Sequence, residues 1–419
     1  MLGGRSRGIN YIISFFKVFF LIVAALYLPQ FFMRYIPASK QSIFSRTKLH
    51  PEAFKLGLEN ISESFLKSLT SSGTLVYKVG LITNQTGVDR SGKKNVDILR
   101  EKGVKITALV YPFSRYTQEY MKEFSIPTFP LYKNDALSIN RRPFSLVDVV
   151  IFDIQDVGLS HYSFIKTLFD VITIASDMDK TVVVLDRPNL LGSNIEGIHT
   201  LAPLRYGITV GELAQYLNQH ILEKAARLQV VPMMNYNRTM QNYSLSTPLL
   251  CAGMNLNSYY GYSFLGLLKQ VGPFNIGTDT DNAFQCLLLP NSLQFSRHKW
   301  YELQEKFKHI GIKSKLYSYF NEKDNEHYTG LRLFVQNSND FSSLNTLLTA
   351  LTFFNQSGVP LTFSAEFDAA VGTCKIREYV QGKIDRTLVE QELNKDLQTF
   401  YHRALDSLLY QPLPKLIQV

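Results

Sequence analysis

Cysteine is scarce in this sequence. The 419 residues contain three, Cys251, Cys286 and Cys374, which lie far apart and show no C-x-x-C spacing. We interpret them as small buried apolar residues, with a disulfide or a metal site as the alternative. The eight histidines are scattered without H-x-x-x-H spacing, so the pattern predicts no metal site.

Several functional signatures are also absent. No G-x-G-x-x-G motif or P-loop follows the first strand-like run, and no G-x-S-x-G motif occurs. These absences argue against dinucleotide enzymes, ATPases and α/β-hydrolases, and we expect no cofactor. The net charge is +9 without a dense basic tract. It indicates a surface suited to anionic partners such as phospholipid headgroups or acidic polymers, and no nucleic-acid partner is expected.

A long apolar run is present only near the N-terminus. Tyr11–Phe32 is almost continuously apolar, interrupted by Lys17 and preceded by Arg5 and Arg7. This length predicts one transmembrane helix that anchors an extracytoplasmic body to the inner membrane, in the periplasm or cell envelope. The alternative is that Tyr11–Ala25 is a cleaved signal peptide and the protein is secreted.

The length of the chain suggests about two domains beyond this segment. We predict an anchor or signal segment over 1–36, a tether and helix over 37–72, a Rossmann-like domain over 73–275 and a smaller α/β (α+β) domain over 276–419. Apolar residues at helical spacing place the first helix within Pro51–Leu69.

Four apolar, β-type runs give the larger domain its predicted fold. They are Val79–Ile82, Ile106–Val110, Val147–Phe152 and Thr181–Leu185, with helices expected over Lys94–Lys102 and Tyr162–Met178. This alternation is typical of an α/β fold with a mainly parallel sheet. Polar residues follow each run directly. Because ligands of such sheets bind beyond the carboxyl ends of the strands, we expect one cleft there.

Farther along the chain, Thr209–Glu212 matches a capping box that begins a helix, which makes Glu212 a cap rather than an acid. Thr247–Thr280 is rich in Gly, Asn, Tyr and Pro without periodicity and predicts a long ordered loop. The rest predicts strands and helices over Phe284–Leu289, Lys299–His309, Leu331–Val335, Phe341–Gln356 and Leu388–Leu409.

The strand end at Asp153, Gln155 and Asp156 is the densest group of polar side chains. It could hold sugar hydroxyls, ligate a hard cation or supply a carboxylate for acid/base catalysis. In the alternative interpretation, Asp156 caps a helix that begins near Ser160.

Two other strand ends complete the candidate site. The sequence Asn84, Gln85 and Thr86 suits a polyhydroxylated ligand, or else forms an Asx turn. Asp186 and Arg187 are followed by Pro188 and Asn189. Arg187 could bind a ligand carboxylate, or else form a bracing salt bridge with Asp186.

Together, these residues resemble the NamZ-type exo-β-N-acetylmuramidases, a glycoside hydrolase family of bacterial cell-wall recycling. The shared motifs, in order, are G-L-x-T-N-x-T-G, D-x-Q-D-V-G followed by a Tyr, L-D-R-P-N, T-x-G-E-L and F-D-x-x-x-G-T. They are present as Gly80–Gly87, Asp153–Gly158 with Tyr162, Leu185–Asn189, Thr209–Leu213 and Phe367–Thr373. The resemblance implies a muramyl saccharide or peptidoglycan fragment as ligand. It also implies Asp153 or Asp156 as the catalytic carboxyl, and Asn84, Gln85, Tyr162 and Asn189 as sugar contacts.

The sequence departs from the family pattern where catalysis is expected. The family motif P-E-H-G carries the leading candidate for the catalytic acid, but Pro112 is followed here by Phe113 and Ser114. An expected arginine is Ser160, and the S-x-G-R-G-T loop is reduced to Asn275–Thr278 without its arginine. We therefore expect reduced or lost activity. The alternative is a non-catalytic saccharide-binding or structural protein of the envelope.

Overall fold

The computed structural model describes residues 54–68, 77–112, 123–133, 138–161, 163–238 and 254–418. The predicted membrane helix, Phe113, Ser114 and the side chain of Tyr162 lie outside these ranges. Within them, no helix combines the length and apolar character that a membrane crossing requires. The predicted anchor therefore stays a prediction.

The first half alternates strands and helices. In chain order its elements are α1 (Glu63–Ser68), β1 (Val79–Thr83), α2 (Asn95–Glu101), β2 (Ile106–Tyr111), β3 (Thr128–Pro130), α3 (Arg142–Ser145), β4 (Val149–Asp153), α4 (Ser163–Asp177), β5 (Thr181–Leu185), β6 (Asn194–Glu196), β7 (Arg205–Tyr206), α5 (Val210–His220) and β8 (Arg227–Val231). The four predicted strands are confirmed to within two residues at their ends.

Six of these strands form one parallel sheet in the order β3-β2-β1-β4-β5-β8. Successive side chains enter opposite apolar clusters: Leu81 and Ile151 pack on one face, Ile82 and Phe152 on the other. Both faces are thus covered, which explains why the strands read as continuous apolar runs. The predicted parallel α/β domain is confirmed. The strand order reverses between β1 and β4, and Thr83 pairs with Asp153 at their carboxyl ends.

The second half contains α6 (Leu256–Leu268), β9 (Val271–Gly272), β10 (Cys286–Pro290), α7 (Arg297–His309), β11 (Ile312–Asn321), β12 (Glu326–Val335), α8 (Ser343–Gln356), β13 (Thr362–Phe363), α9 (Phe367–Val371), α10 (Lys375–Val380), α11 (Arg386–Asn394), α12 (Leu397–Ala404) and β14 (Lys415–Leu416). Strands β10, β12 and β11 form an antiparallel sheet in that order. Two smaller sheets join β13 to β9, and β14 to β6 and β7.

The loop predicted over Thr247–Thr280 is wrong over α6. Asn255 caps this helix through the backbone N–H of Ser258, and Ser258 returns the bond in a capping box. The helix is buried on nearly all sides. An apolar helix without a polar face shows no 3.6-residue periodicity, so its sequence resembles an irregular segment.

Three other predictions need correction. Within the described residues 54–68 of the predicted segment Pro51–Leu69, the helix spans only Glu63–Ser68, and Leu56 and Leu58 before it are buried without being helical. The single C-terminal helix is two helices, α11 and α12. Strand β11 was not predicted; most of its side chains are partly buried or exposed, so the strand lacks a strong apolar signal. The capping box at Thr209–Glu212 is confirmed.

Candidate functional site

Three strand ends are joined by hydrogen bonds at the carboxyl edge of the parallel sheet. The Asn84 Oδ1 atom accepts from the backbone N–H and the hydroxyl of Thr86, at 2.8 and 2.5 Å. The Thr86 hydroxyl in turn accepts from the backbone N–H of Gln155 at 2.9 Å. The Gln155 side-chain amide donates to the Pro188 carbonyl at 2.7 Å. The edge is therefore a single connected structure, and Asn84 adopts the Asx-turn arrangement.

Asp153 forms a fully buried ion pair with Arg187. The Arg187 Nε and Nη2 atoms lie 2.6 and 3.0 Å from the two carboxylate oxygens, and both side chains are 0% exposed. Asn95 donates a further bond to Asp153 at 2.8 Å. The partner of Arg187 is thus Asp153, not Asp186 as the sequence alternative had it. The geometry gives Asp153 a bracing role, and its catalytic role stays a prediction.

Asp186 is also fully buried, and it accepts four hydrogen bonds. The backbone N–H groups of Arg187 and Gly211 donate to one oxygen at 2.8 and 2.7 Å. The hydroxyls of Thr209 and Tyr410 donate to the other at 2.9 and 2.6 Å. Burial raises the pKa of Asp186 to about 7. This aspartate joins β5 to the start of α5 and to the C-terminal segment.

Glu212 reinforces the same junction. Its carboxylate pairs with Arg238, both side chains being almost fully buried, and accepts from the backbone N–H of Leu409 at 2.7 Å. It also accepts from the backbone N–H of Thr209 at 2.8 Å, as the capping box requires. After burial, the negative charge of Glu212 is the second cause that raises the pKa of Asp186.

Unlike Asp153 and Glu212, Asp156 has no cation partner among the described residues, and it lacks the four donors that surround Asp186. Asp156 is 5% exposed. One oxygen accepts from the backbone N–H of Val157 at 2.7 Å, and the other accepts from the Tyr206 hydroxyl. Burial raises the pKa of Asp156 to about 6, and the bond from Tyr206 opposes this shift. These described contacts lie in the adjoining loop and on β7, and the capping alternative for Asp156 stays a prediction.

The other predicted sugar contacts are mostly turned inward. Asn189 is 6% exposed, accepts from the backbone N–H of Leu191 and donates to the Ile208 carbonyl. Gly158 has a φ of +103°, and a side chain there would overlap Asn189. Gln85 is half-buried and reaches the surface more than its neighbours do. The sugar-binding roles of these residues stay predictions.

No sequence motif marked Tyr206 or Asn95 as a site residue, since each meets its aspartate only through the fold. His161 follows the Asp153–Gly158 motif and interacts electrostatically with His199, and its ring stacks on that of Tyr262 with 5.2 Å between ring centroids. Burial lowers their pKa values to about 3 and about 4, so both imidazoles are neutral at physiological pH.

The two positions where the family has arginine have a different use here. The Ser160 hydroxyl donates to the carbonyl of Pro203 at 2.6 Å and lies 3.0 Å from that of Ala202. In the shortened loop, Ile276 stands before the retained Gly277 where the arginine is lost, and it is buried, at 2% exposure. Neither position supplies a cation.

Metal binding finds no support in the part of the chain that the structure describes. No three His, Cys, Asp or Glu side chains come together there in a way that could hold an ion. Cys286 and Cys374 have free thiols, and Cys286 is buried as expected.

Comparison with known proteins agrees with this geometry. The family model for the N-terminal part of the exo-β-N-acetylmuramidase NamZ matches residues 79–258. The peptidoglycan β-N-acetylmuramidase NamZ of Bacillus subtilis strain 168 is 26% identical over 410 residues, covering 89% of this chain and 94% of that protein.

Two solved structures share the fold. Both are DUF1343 family proteins of Bacteroides fragilis NCTC 9343. The first has a TM-score of 0.73 at 24% identity and covers 86% of this chain and 99% of its own. The second has a TM-score of 0.66 at 20% identity and covers 85% and 99%. The family model and the relative from Bacillus subtilis extend over the motifs found in the sequence, and the chain is similar to the NamZ exo-β-N-acetylmuramidase family over most of its length.

Proposed function

We propose that this protein is a muramidase-type glycoside hydrolase that acts slowly on peptidoglycan-derived muramyl saccharides, with Asp156 as its general acid. One observation carries the assignment of the acid. Of the three aspartates at the strand ends, Asp156 alone has neither a cation partner in the described part of the chain nor the four hydrogen-bond donors that surround Asp186, and its pKa is raised to about 6.

A general acid must hold its proton at the working pH and release it in the transition state. Asp153 is unsuited to this because its charge neutralises Arg187 inside the protein. Asp186 accepts four bonds that fix two segments of the chain. Asp156 can be protonated at mildly acidic pH without breaking an ion pair.

Slow turnover is proposed because Phe113 stands where the family has its candidate acid. A phenyl ring cannot donate a proton, and loss of a general acid typically costs about 10²–10⁴-fold in rate. Ser160 also removes a cation suited to the lactyl carboxylate of a muramyl sugar. Glu123, which follows Phe113 by ten residues in the sequence, is a candidate to replace the missing acid. Its side chain is exposed and paired with Lys94 at 2.5 Å, which does not favour that role.

The test uses the full chain with a para-nitrophenyl muramyl glycoside and a muramyl disaccharide. Asp156→Asn should lower hydrolysis by about 10²–10⁴-fold while saccharide binding, measured by calorimetry, is retained. Phe113→Glu combined with Ser114→His should raise hydrolysis. Asp177→Asn, an exposed carboxylate at the end of α4, is the control and should change neither. Hydrolysis that Asp156→Asn leaves unchanged would show that the acid lies elsewhere.

A non-catalytic saccharide-binding protein is the second candidate. The specific observation in its favour is that Asp153 and Asp186 are fully buried and committed to protein partners. Binding of a muramyl disaccharide without any release of product, by the wild type and by the Phe113→Glu, Ser114→His variant alike, would support this candidate over the hydrolase.

We further propose that the body of the protein lies outside the cytoplasm. The support is the apolar run Tyr11–Phe32 and the arginines before it. A C-terminal alkaline phosphatase fusion should be active, and a fusion of the phosphatase to a chain lacking residues 1–36 should not. Activity of the truncated fusion would contradict export through this segment.

A further inference from the structure

One face of the β11–β12 hairpin combines tyrosines with cations. Side chains alternate along a strand, so Lys313, Lys315, Tyr317 and Tyr319 share one face of β11. Ile312, on the opposite face, packs in the core that also contains residues of α7. The face with the tyrosines therefore points away from the helix.

The tyrosine rings form a continuous row. Tyr317 and Tyr319 have ring centroids 6.3 Å apart with planes inclined by 29°, and Tyr319 and Tyr328 lie 5.8 Å apart at 21°. Tyr319 is directly opposite Tyr328, whereas Tyr317 is opposite Gly330, which has no side chain to cover it. All three tyrosines are half-buried. Flat rings in a row suit the apolar C–H faces of successive sugars.

The cations continue this row toward the other end of the hairpin. Lys315 is directly opposite Arg332, and Lys313 is opposite Phe334, over whose ring the Arg332 guanidinium lies at 5.1 Å. Lys313 and Lys315 are exposed, and no described carboxylate pairs with any of these three cations. Like charges directly opposite one another are destabilising, and a bound anion would relieve this repulsion.

The row also reaches the loop that the family motif assigns to the site. At the tip of the hairpin, Lys323 forms an ion pair with Asp279, directly after the shortened Asn275–Thr278 loop. A ligand on the tyrosines would therefore lie beside this loop.

We propose that this face binds a carboxylate-bearing glycan strand, with sugar rings on the tyrosines and carboxylates on the cations. The identity of that glycan as uncut peptidoglycan rests on the proposed function. The surface extends recognition beyond the terminal saccharide to the length of the strand.

The experiment is cosedimentation of the full chain with purified peptidoglycan sacculi. Tyr317→Ala with Tyr319→Ala should weaken binding by about tenfold or more, given the usual contribution of aromatic contacts. The matched control is Phe320→Ala with His327→Ala, an aromatic pair 4.8 Å apart on the opposite face, with Phe320 45% exposed. The control pair should bind as the wild type does.

A second pair of variants keeps the test valid should the tyrosine variant misfold. Lys313→Gln with Lys315→Gln alters only exposed side chains and should weaken binding and reduce its dependence on salt. Lys306→Gln with Lys308→Gln, on the exposed side of α7, makes the same change in net charge and should have no effect.

Three results would overturn the proposal. They are no sedimentation of the wild type, equal losses in the variants and their controls, or binding to anionic phospholipid vesicles that needs the lysines but not the tyrosines. The last result would assign the face to a membrane surface. Normal binding of a small muramyl disaccharide alongside failure on sacculi would refute this surface and leave the proposed function intact. Binding to sacculi without any hydrolysis would support this surface and refute the proposed hydrolase function.

Discussion

Replacing Asp153 by asparagine should destabilise the protein strongly. The aspartate and Arg187 are both 0% exposed and joined by contacts of 2.6 and 3.0 Å. Asparagine keeps the size of the side chain but leaves a buried guanidinium without its counter-charge. Breaking such a pair costs about 3–5 kcal/mol. That is a large share of the roughly 5–15 kcal/mol that stabilises a typical folded protein.

Urea denaturation followed by circular dichroism measures this loss. The control is Asp177→Asn, which breaks an ion pair with Arg141 whose side chains are 59% and 49% exposed. An exposed pair contributes about 0–1 kcal/mol, so the control should unfold near the wild-type midpoint. Replacing both members of the buried pair, with Asp153→Leu and Arg187→Met, should cost less than Asp153→Asn alone, because no unpaired charge remains buried.

The bracing role would be refuted if Asp153→Asn were no less stable than Asp177→Asn. If that stable variant also lost hydrolysis, Asp153 would act in catalysis, as the sequence had suggested. A strongly destabilised variant cannot be assigned to catalysis from its activity alone. The free energy of unfolding must therefore be measured before the rate.

Three further predictions concern the same edge of the sheet. Tyr206→Phe removes a hydrogen bond that lowers the pKa of Asp156. Hydrolysis should fall above about pH 6 as Asp156 loses its proton, and in this variant the fall should move to higher pH in a pH–rate profile. A shift to lower pH would contradict this. Tyr410→Phe should cost about 1.5–3 kcal/mol through its lost bond to Asp186 and should speed hydrogen exchange in the C-terminal segment before it affects the sheet. Gly158→Ala places a Cβ against Asn189 at a φ of +103° and should lower the thermal midpoint, whereas the same change at Gly103, also at a positive φ of +80° but with open space for a side chain, should lower it less.

The order of the strands along the chain, and the edge at which their polar residues meet, followed from the sequence. Apolar runs that end in polar residues are local patterns, and so is the capping box at Thr209–Glu212. Helix α6 was missed for the opposite reason: burial on nearly every side removed the polar face that makes a helix recognisable.

The sequence by itself determined the family resemblance, the parallel sheet and the group of residues at its carboxyl edge. Only the tertiary structure decided what those residues do there. Asp153 meets Arg187 across 34 positions, Asp156 meets Tyr206 across 50, and Asp186 meets Tyr410 across 224. Burial, the counter-charge and the hydrogen-bond donors determine whether a carboxylate stabilises the fold or can donate a proton. Those depend on segments that are distant in sequence, so neighbouring aspartates of one motif have different environments.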